Sequence, residues 1–467
     1  MSNYLCLGDD VLNKKRILMV FIFVVATIAF YIVNTGVADP NSTLQGEASY
    51  PAPVRERLLT AKEALADAKW LIALIEETHP IFLDMPEFYN KLDDNYEIRK
   101  LELLEGADHP ILVVDFMMLC NRYLATLKDG HSQIFPPSGG VAIPLSFYWH
   151  EGGLMINASE QFPEGATVLS IGGIEVEAIG MSIDTHLAYE NESGRYYNRR
   201  NNAGSRLFHL DAGVEADEEV ELEILYADDH IEFVTFEYSQ GNVSSSPKPV
   251  SFEFTMLEDE SIVLITANSC TRDDSWQAAQ LFLTEALKNG VTDVIVDIRQ
   301  NGGGDSSVWD PFAVILGIPP NKFSFGVIRR HSPLARATTL RNQNIQGNYF
   351  RLPPIRGKVD NFPYNLQVLV GERTFSSAMF LVGYVRDAEF GSLVGRVPRN
   401  TVSHFGYTAQ FTLPTSHLNG SVSTHYWMRP DLSLDASDEP LLDIELPYGE
   451  DALERAVQEI QARRLAH

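Results

Sequence analysis

Apolar residues recur at helical spacing between residue 54 and about 128, where "VRERLLTAKEALADAKWLIALIEETHP" runs to a His79-Pro80 stop, which predicts a small helical lead-in. From Gly139 to about Ser245 the pattern shortens to alternating strands and turns, as in "GATVLSIGGIEVEAI" and "VELEILYADDHIEFVTFEY". That stretch reads as β-rich. After the linker "SQGNVSSSPKPV", strand and helix patterns alternate: "SIVLITANS" as strand, "DDSWQAAQLFLTEALKNG" as a helix ending at Gly290, and "VTDVIVDIR" as a fully buried strand. A glycine loop, the helix pattern "SVWDPFAVILG", the strand "LQVLVGE" and the short strand "SLVGR" follow. This alternation predicts an α/β layered domain from about 250 onward.

The first residues carry a different pattern. Lys14, Lys15 and Arg16 precede the apolar run Ile17 to Val33, and "NTGVADP" then restores loop chemistry. Residues 1–38 therefore read as a signal peptide or an uncleaved membrane anchor, with Gly36-Val37-Ala38 offering small residues for cleavage. In either case the positive cluster stays cytoplasmic, so the chain after Asp39 is expected in the periplasm or outside the cell, tethered by residues 17–33 unless cleaved near Ala38.

Length and charge narrow the classes. A chain of 467 residues is expected to fold as two or three packed units. The boundaries read from the pattern are a helical region at 50–136, a β-rich module at 137–247 and an α/β domain at 250–460. A formal net charge of −27 repels nucleic acid and leaves no basic face for anionic membranes, so contact with a membrane is expected only through the N-terminal segment. Three cysteines make no disulfide framework; Cys120 and Cys270 could form one bridge or remain buried thiols. No CxxC or HExxH occurs, and no metal or cofactor is expected.

Three segments could carry chemistry. In "DVIVDIRQNGGGDSS" a buried strand ends in Gly302, Gly303 and Gly304, which let the backbone turn sharply and aim N–H groups at a developing oxyanion, or simply make a strand-to-helix turn. In "GERTFSSAMFLVGYVRD", Ser376 and Ser377 stand where a strand passes into a helix; each is a helix cap or a nucleophile on local grounds. A serine nucleophile needs a base. His131 in "LATLKDGHSQIFPP" has Asp129 and Ser132 beside it as orienters, and His404 in "NTVSHFGY" is the alternative. His79, His417 and His425 lie in turn-like settings and read as structural.

Together these segments resemble the C-terminal processing, or tail-specific, serine peptidases of family S41, which include the tricorn core protease and the interphotoreceptor retinoid-binding proteins. The family pattern D-L-R-x-N-x-G-G is similar to "DIRQNGGG", and T-x-S-A-x-E to "TFSSAM"; "KDGHSQIF" is similar to a D-x-H-[TS] segment, and "PEGATVLSIGGIEVEAI" to the second half of a PDZ-like module. The resemblance implies a crotonase-like layered α/β protease core with a PDZ-like insert, acting on a polypeptide. Its gap-free register puts Ser376 on the nucleophile, Gly303 and Ser377 on the two oxyanion amides, and His131 on the base of the tricorn-like branch. The lysine base of tail-specific members would fall at Thr401, Met379 replaces the family glutamate after the serine, and Asp387 matches a structural acid. The missing lysine and glutamate keep a second reading open, a catalytically silent protein of this fold that binds a lipid or peptide.

Overall fold

A computed structural model describes residues 57–137, 140–159, 161–215, 218–240, 249–258, 261–319, 324–338, 348–353, 358–437 and 439–466. The apolar run 17–33 lies outside them. Among the described residues no helix is long and apolar enough to cross a membrane.

The lead-in is three helices, α1 (Ala61–Thr78), α2 (Tyr96–Ala107) and α3 (Val113–Ala125). Thr60 and Glu63 open α1 with a reciprocal capping box, and Ala64, Ala68, Leu71 and Ile75 form its buried stripe. The helix stops where the sequence predicts, at His79, whose Nδ1 accepts from the Ile81 amide.

The module that follows holds β1 (Phe147–His150), β2 (Gly153–Ile156), β3 (Thr167–Ile171), α4 (Val176–His186), α5 (Glu192–Asn202), α6 (Arg206–Asp211), β4 (Glu219–Leu225) and β5 (Ile231–Glu237). Its strands form an antiparallel sheet in the order β5-β4-β3-β2-β1. The three helices depart from the β-rich expectation. Residues 187–211 are too polar to show an apolar stripe, and α5 is fixed instead by its Asn191 cap and by ion pairs of Arg199 with Glu177 and Asp184. Lead-in, module and part of the remaining chain share one apolar core, in which Leu71, Phe116, Ile171, Leu222 and Val422 are all buried.

The rest of the chain runs β6 (Phe252–Leu257), β7 (Ile262–Ala267), α7 (Asp274–Lys288), β8 (Asp293–Asp297), α8 (Trp309–Ile315), β9 (Gly326–Arg329), β10 (Tyr349–Arg351), β11 (Asn365–Val370), α9 (Ala378–Ala388), β12 (Ser392–Gly395), β13 (His404–Thr412), β14 (Asn419–Met428), β15 (Ile444–Glu445) and α10 (Ala452–Ala466). The main sheet has the order β6-β7-β8-β11-β12-β15, parallel from β7 onward. Its inner strands β7, β8, β11 and β12 are buried on both faces, as continuous apolar runs require. Val294 and Val296 of β8 pack with α7, α8 and α9, whereas Ile295 packs with Ala452, Ala456 and Ile460 of α10. The domain is thus a three-layer α/β/α stack, and each buried Val or Ile contributes about 1.5–3 kcal/mol of transfer free energy. A second sheet, β10-β9-β14-β13, stands beside it, and the two-residue strand Gln133–Ile134 adds to β14. Cys120 and Cys270 are buried free thiols.

Candidate active site

Parallel strands deliver their following loops to one edge of the sheet, and ligands in open α/β sheets bind at that edge. Here the loops after β8, β11 and β12 meet. Asn301, wholly buried, knits the first two together: its Nδ2 donates to Ala267 O at 3.0 Å, its backbone O accepts from Phe375 N at 3.0 Å, and its Oδ1 accepts from Gly303 N at 2.9 Å. Thr374 Oγ1 adds a bond to Ile298 O at 2.9 Å. Asp297 and Arg299 of the same motif pair with each other, and Arg299 reaches Asp451 at 3.1 Å, so both are structural.

Neither serine caps the helix with its side chain. Ser377 occupies the cap position of α9 but its Oγ donates to Gly304 O at 2.5 Å, while its own carbonyl accepts from Trp309 Nε1 at 2.8 Å. Ser376, one residue earlier, is left-handed, with φ 55°. That conformation is strained for a residue with a Cβ, by about 1–3 kcal/mol, and the surroundings hold it: the Ser376 amide donates to Asn400 Oδ1 at 2.7 Å. The Ser377 amide, at the cap, has no acceptor within the helix. Gly303 sits against both, because a Cβ built on it would lie 2.7 Å from Ser376 Cβ and 3.0 Å from Ser377 N, and its φ of 104° suits glycine alone. Of the two expected oxyanion donors, then, the Ser377 amide is open and the Gly303 amide is engaged by Asn301.

His131 arrives from the lead-in because Gln133 and Ile134 pair with β14; Ser421 Oγ donates to His131 O at 2.6 Å and Ser423 N to Ser132 Oγ at 3.0 Å. Its ring stacks on Phe375, the neighbour of Ser376, with centroids 4.4 Å apart. Both ring nitrogens are buried without a hydrogen-bond partner, so no bond joins His131 to Ser376 in this structure. Two carboxylates flank the ring. Asp129 Oδ1 lies 3.4 Å from His131 Nδ1, and Asp129 is fully buried, accepting from Ser132 Oγ at 2.5 Å and from His79 Nε2 at 3.1 Å. Burial by itself would raise the Asp129 carboxyl, yet the nearby His131 ring and the bonded His79 hold it well below the usual carboxylate range.

Glu190, in the loop before α5, is the second carboxylate, and nothing in the sequence singles it out. Its Oε2 accepts from Asn400 Nδ2 at 2.6 Å, Thr401 N at 3.1 Å and Thr401 Oγ1 at 2.8 Å, and its Oε1 is buried without a partner. Burial pushes its pKa up to about 7 against the opposing pull of His131. One ligand atom from each of Asp129, His131 and Glu190 lies within 4.8 Å of the others, the group among the described residues that could close on a metal ion. The loop after β12, where the lysine of tail-specific relatives would stand, is instead docked on α5: Asn191 Nδ2 donates to Pro398 O at 2.9 Å, Ser193 Oγ donates to Val397 O at 2.6 Å, and Gly194 packs so tightly that a Cβ would meet Arg399 O at 2.8 Å. Arg200 of α5 pairs with Glu372 of the loop that carries Ser376.

His404, the alternative base, is buried beside His131 with ring centroids 6.1 Å apart. Its Nδ1 is occupied by Val402 O at 2.9 Å, and burial, aided by His131, pushes its pKa down to about 4. Asp387 is buried against Arg429 at 2.6 Å and ties α9 to the second sheet. His425 is buried with Nδ1 at 2.7 Å from Thr424 Oγ1.

Residues 261–432 match the family model described as Peptidase family S41. No curated protein matches the sequence. Among solved structures, mature CPAF complexed with lactacystin is similar at 12% identity over 86% of this chain and 97% of that chain, with a TM-score of 0.58, and mature CPAF at 12% identity over 86% and 95%, with a TM-score of 0.57. The photosystem II D1 C-terminal processing protease aligns at 14% identity over 82% and 93%, with a TM-score of 0.39. At these identities the likeness to CPAF speaks for the fold.

Proposed function

We propose that this chain, whose residues 261–432 match the model of peptidase family S41, is a serine-type peptidase of that family, with Ser376 as its nucleophile and His131 as its general base. Ser376 Oγ attacks a peptide carbonyl and His131 takes the hydroxyl proton. The C–N bond then breaks, His131 returns the proton to the leaving amine, and water hydrolyses the acyl ester by the same exchange. The oxyanion is met by the Ser377 amide, and by the Gly303 amide once it turns from Asn301 Oδ1. Asp129 and Glu190 stabilise the imidazolium from either side. The observation that carries this reading is the His131 ring, stacked on Phe375 beside Ser376 with both nitrogens uncommitted. His404 is the weaker base, since burial and the neighbouring His131 push its pKa down to about 4. We place the domain outside the cytoplasm, tethered by residues 17–33 or released near Ala38.

The Asn301–Gly303 bond also suits the second reading, a silent protein that uses this fold to bind a peptide or lipid. A fluorophosphonate serine probe separates the two. Applied to the full-length chain, it should label wild type, fail on Ser376→Ala, weaken on His131→Ala and persist on Ser377→Ala. Folded wild type that takes no label would favour binding without catalysis, and loss only in Ser377→Ala would move the nucleophile by one residue.

A further inference from the structure

Arg399 is a cation without an anion. Its guanidinium carbon lies 4.0 Å from the centre of the Tyr197 ring and 4.2 Å from that of Phe375, so two aromatic rings hold the planar group. Its Nε is buried with no hydrogen-bond partner, and among the described residues no carboxylate pairs with it. Burial disfavours its charged form, and Tyr197 and Glu190 offset that cost only in part. An arginine held by its faces keeps its edge free, and that edge is the part that binds a carboxylate through two parallel N–H bonds.

The position of this cation is as informative as its pairing. Arg399, Phe375 and Glu190 line one end of a cavity of about 1150 Å³ that continues between α3 and α4–α6. Phe375 stacks on His131 as well as on Arg399, so the guanidinium is no more than about 9 Å from the imidazole, the span of two to three extended residues. Glu190 attracts the guanidinium through space but makes no ion pair with it, its Oε2 being turned to Asn400 and Thr401. In a chain of net charge −27 an exposed-edge cation at the site is against the general trend and favours anionic groups locally.

We propose that Arg399 is a specificity-determining residue that receives a substrate carboxylate one or two residues from the scissile bond. This rests on the peptidase reading for where the bond is cut, but the carboxylate site can be tested without cleavage. Full-length Ser376→Ala is titrated, by fluorescence anisotropy, with labelled peptides that are C-terminally amidated and carry Glu, Gln or Lys at each of two positions either side of a fixed centre. A parallel arm compares a neutral peptide with a free C-terminus against its amide. Binding at least 10-fold tighter for Glu than for Gln at one position identifies an acidic side chain; the same gain confined to the free C-terminus identifies the terminal carboxylate. In either case Arg399→Gln should bring the ratio near one, and Arg399→Lys, which keeps the charge but not the fork, should leave only part of it. Equal binding of Glu and Gln peptides and of acid and amide, by protein that retains its thermal transition, overturns the proposal, as does a carboxylate preference that survives in Arg399→Gln. Failure of the probe at Ser376 with this preference intact would sink the catalytic reading alone.

Discussion

Glu190→Gln removes a carboxyl whose charge is costly where it sits. Burial is the largest influence on it and carries its pKa from 4.5 to about 7, with His131 pulling the other way and Asp129 adding to the rise. That rise of roughly 2.5 units is worth about 3 kcal/mol at 1.36 kcal/mol per unit. The sign follows from where the proton resides. Below pH 4.5 the group is protonated in both states and its stabilising effect is complete. Between 4.5 and 7 the unfolded chain releases the proton while the folded chain keeps it, so stability falls; above 7 both are ionised and the loss is finished. Relative to Glu190→Gln, which cannot titrate, wild type should therefore lose about 2–3 kcal/mol from pH 5 to pH 8. Urea unfolding of both proteins at unit pH steps measures this, since groups common to the two cancel in the difference. A difference level to within about 1 kcal/mol over that range would refute the reasoning, and with it the enclosed setting described for Glu190.

Two further substitutions probe the site and its frame. Gly303→Ala puts a methyl group 2.7 Å from Ser376 Cβ at a φ of 104°, and should lower kcat by about 10²–10³, the usual effect of spoiling one oxyanion donor; peptide hydrolysis within tenfold of wild type would exclude Gly303 from the oxyanion site. Asp387→Ala leaves the buried Arg429 only the longer ion pair to Asp435 at 3.7 Å, and should cost about 3 kcal/mol in chemical denaturation, whereas a loss below about 1 kcal/mol would mean the pair only decorates the junction of α9 with the second sheet.

The parts of the fold read from sequence are those whose residues carry their own period. "DVIVDIR" is apolar on both faces because β8 is covered on both, and Gly290, with φ 89°, ends α7 as its position announces. The two turns that bring Gly303 and Ser376 together are legible as strand ends, because glycines and tandem serines after an apolar run mark a sharp turn. Glu190 was not, since "AYENESG" is an ordinary polar stretch and the carboxylate gains its role only when α5 docks on the loop after β12. The same holds for Asn400, whose Oδ1 fixes the Ser376 amide from a loop in which the expected lysine was the feature sought. Local patterns cannot report a partner some 200 residues away.

That docking has a consequence in time. The ribosome completes Glu190 and α5 well before the loop bearing Ser376 and the loop bearing Asn400 exist, and the core that α5 belongs to is itself finished only by C-terminal residues such as Val422. A chain that ends between Ser376 and Asn400 therefore has Ser376 without the acceptor for its amide, and Glu190 without the donors that hold its Oε2. The arrangement proposed for cleavage is thus complete only once the last third of the chain has closed on α5.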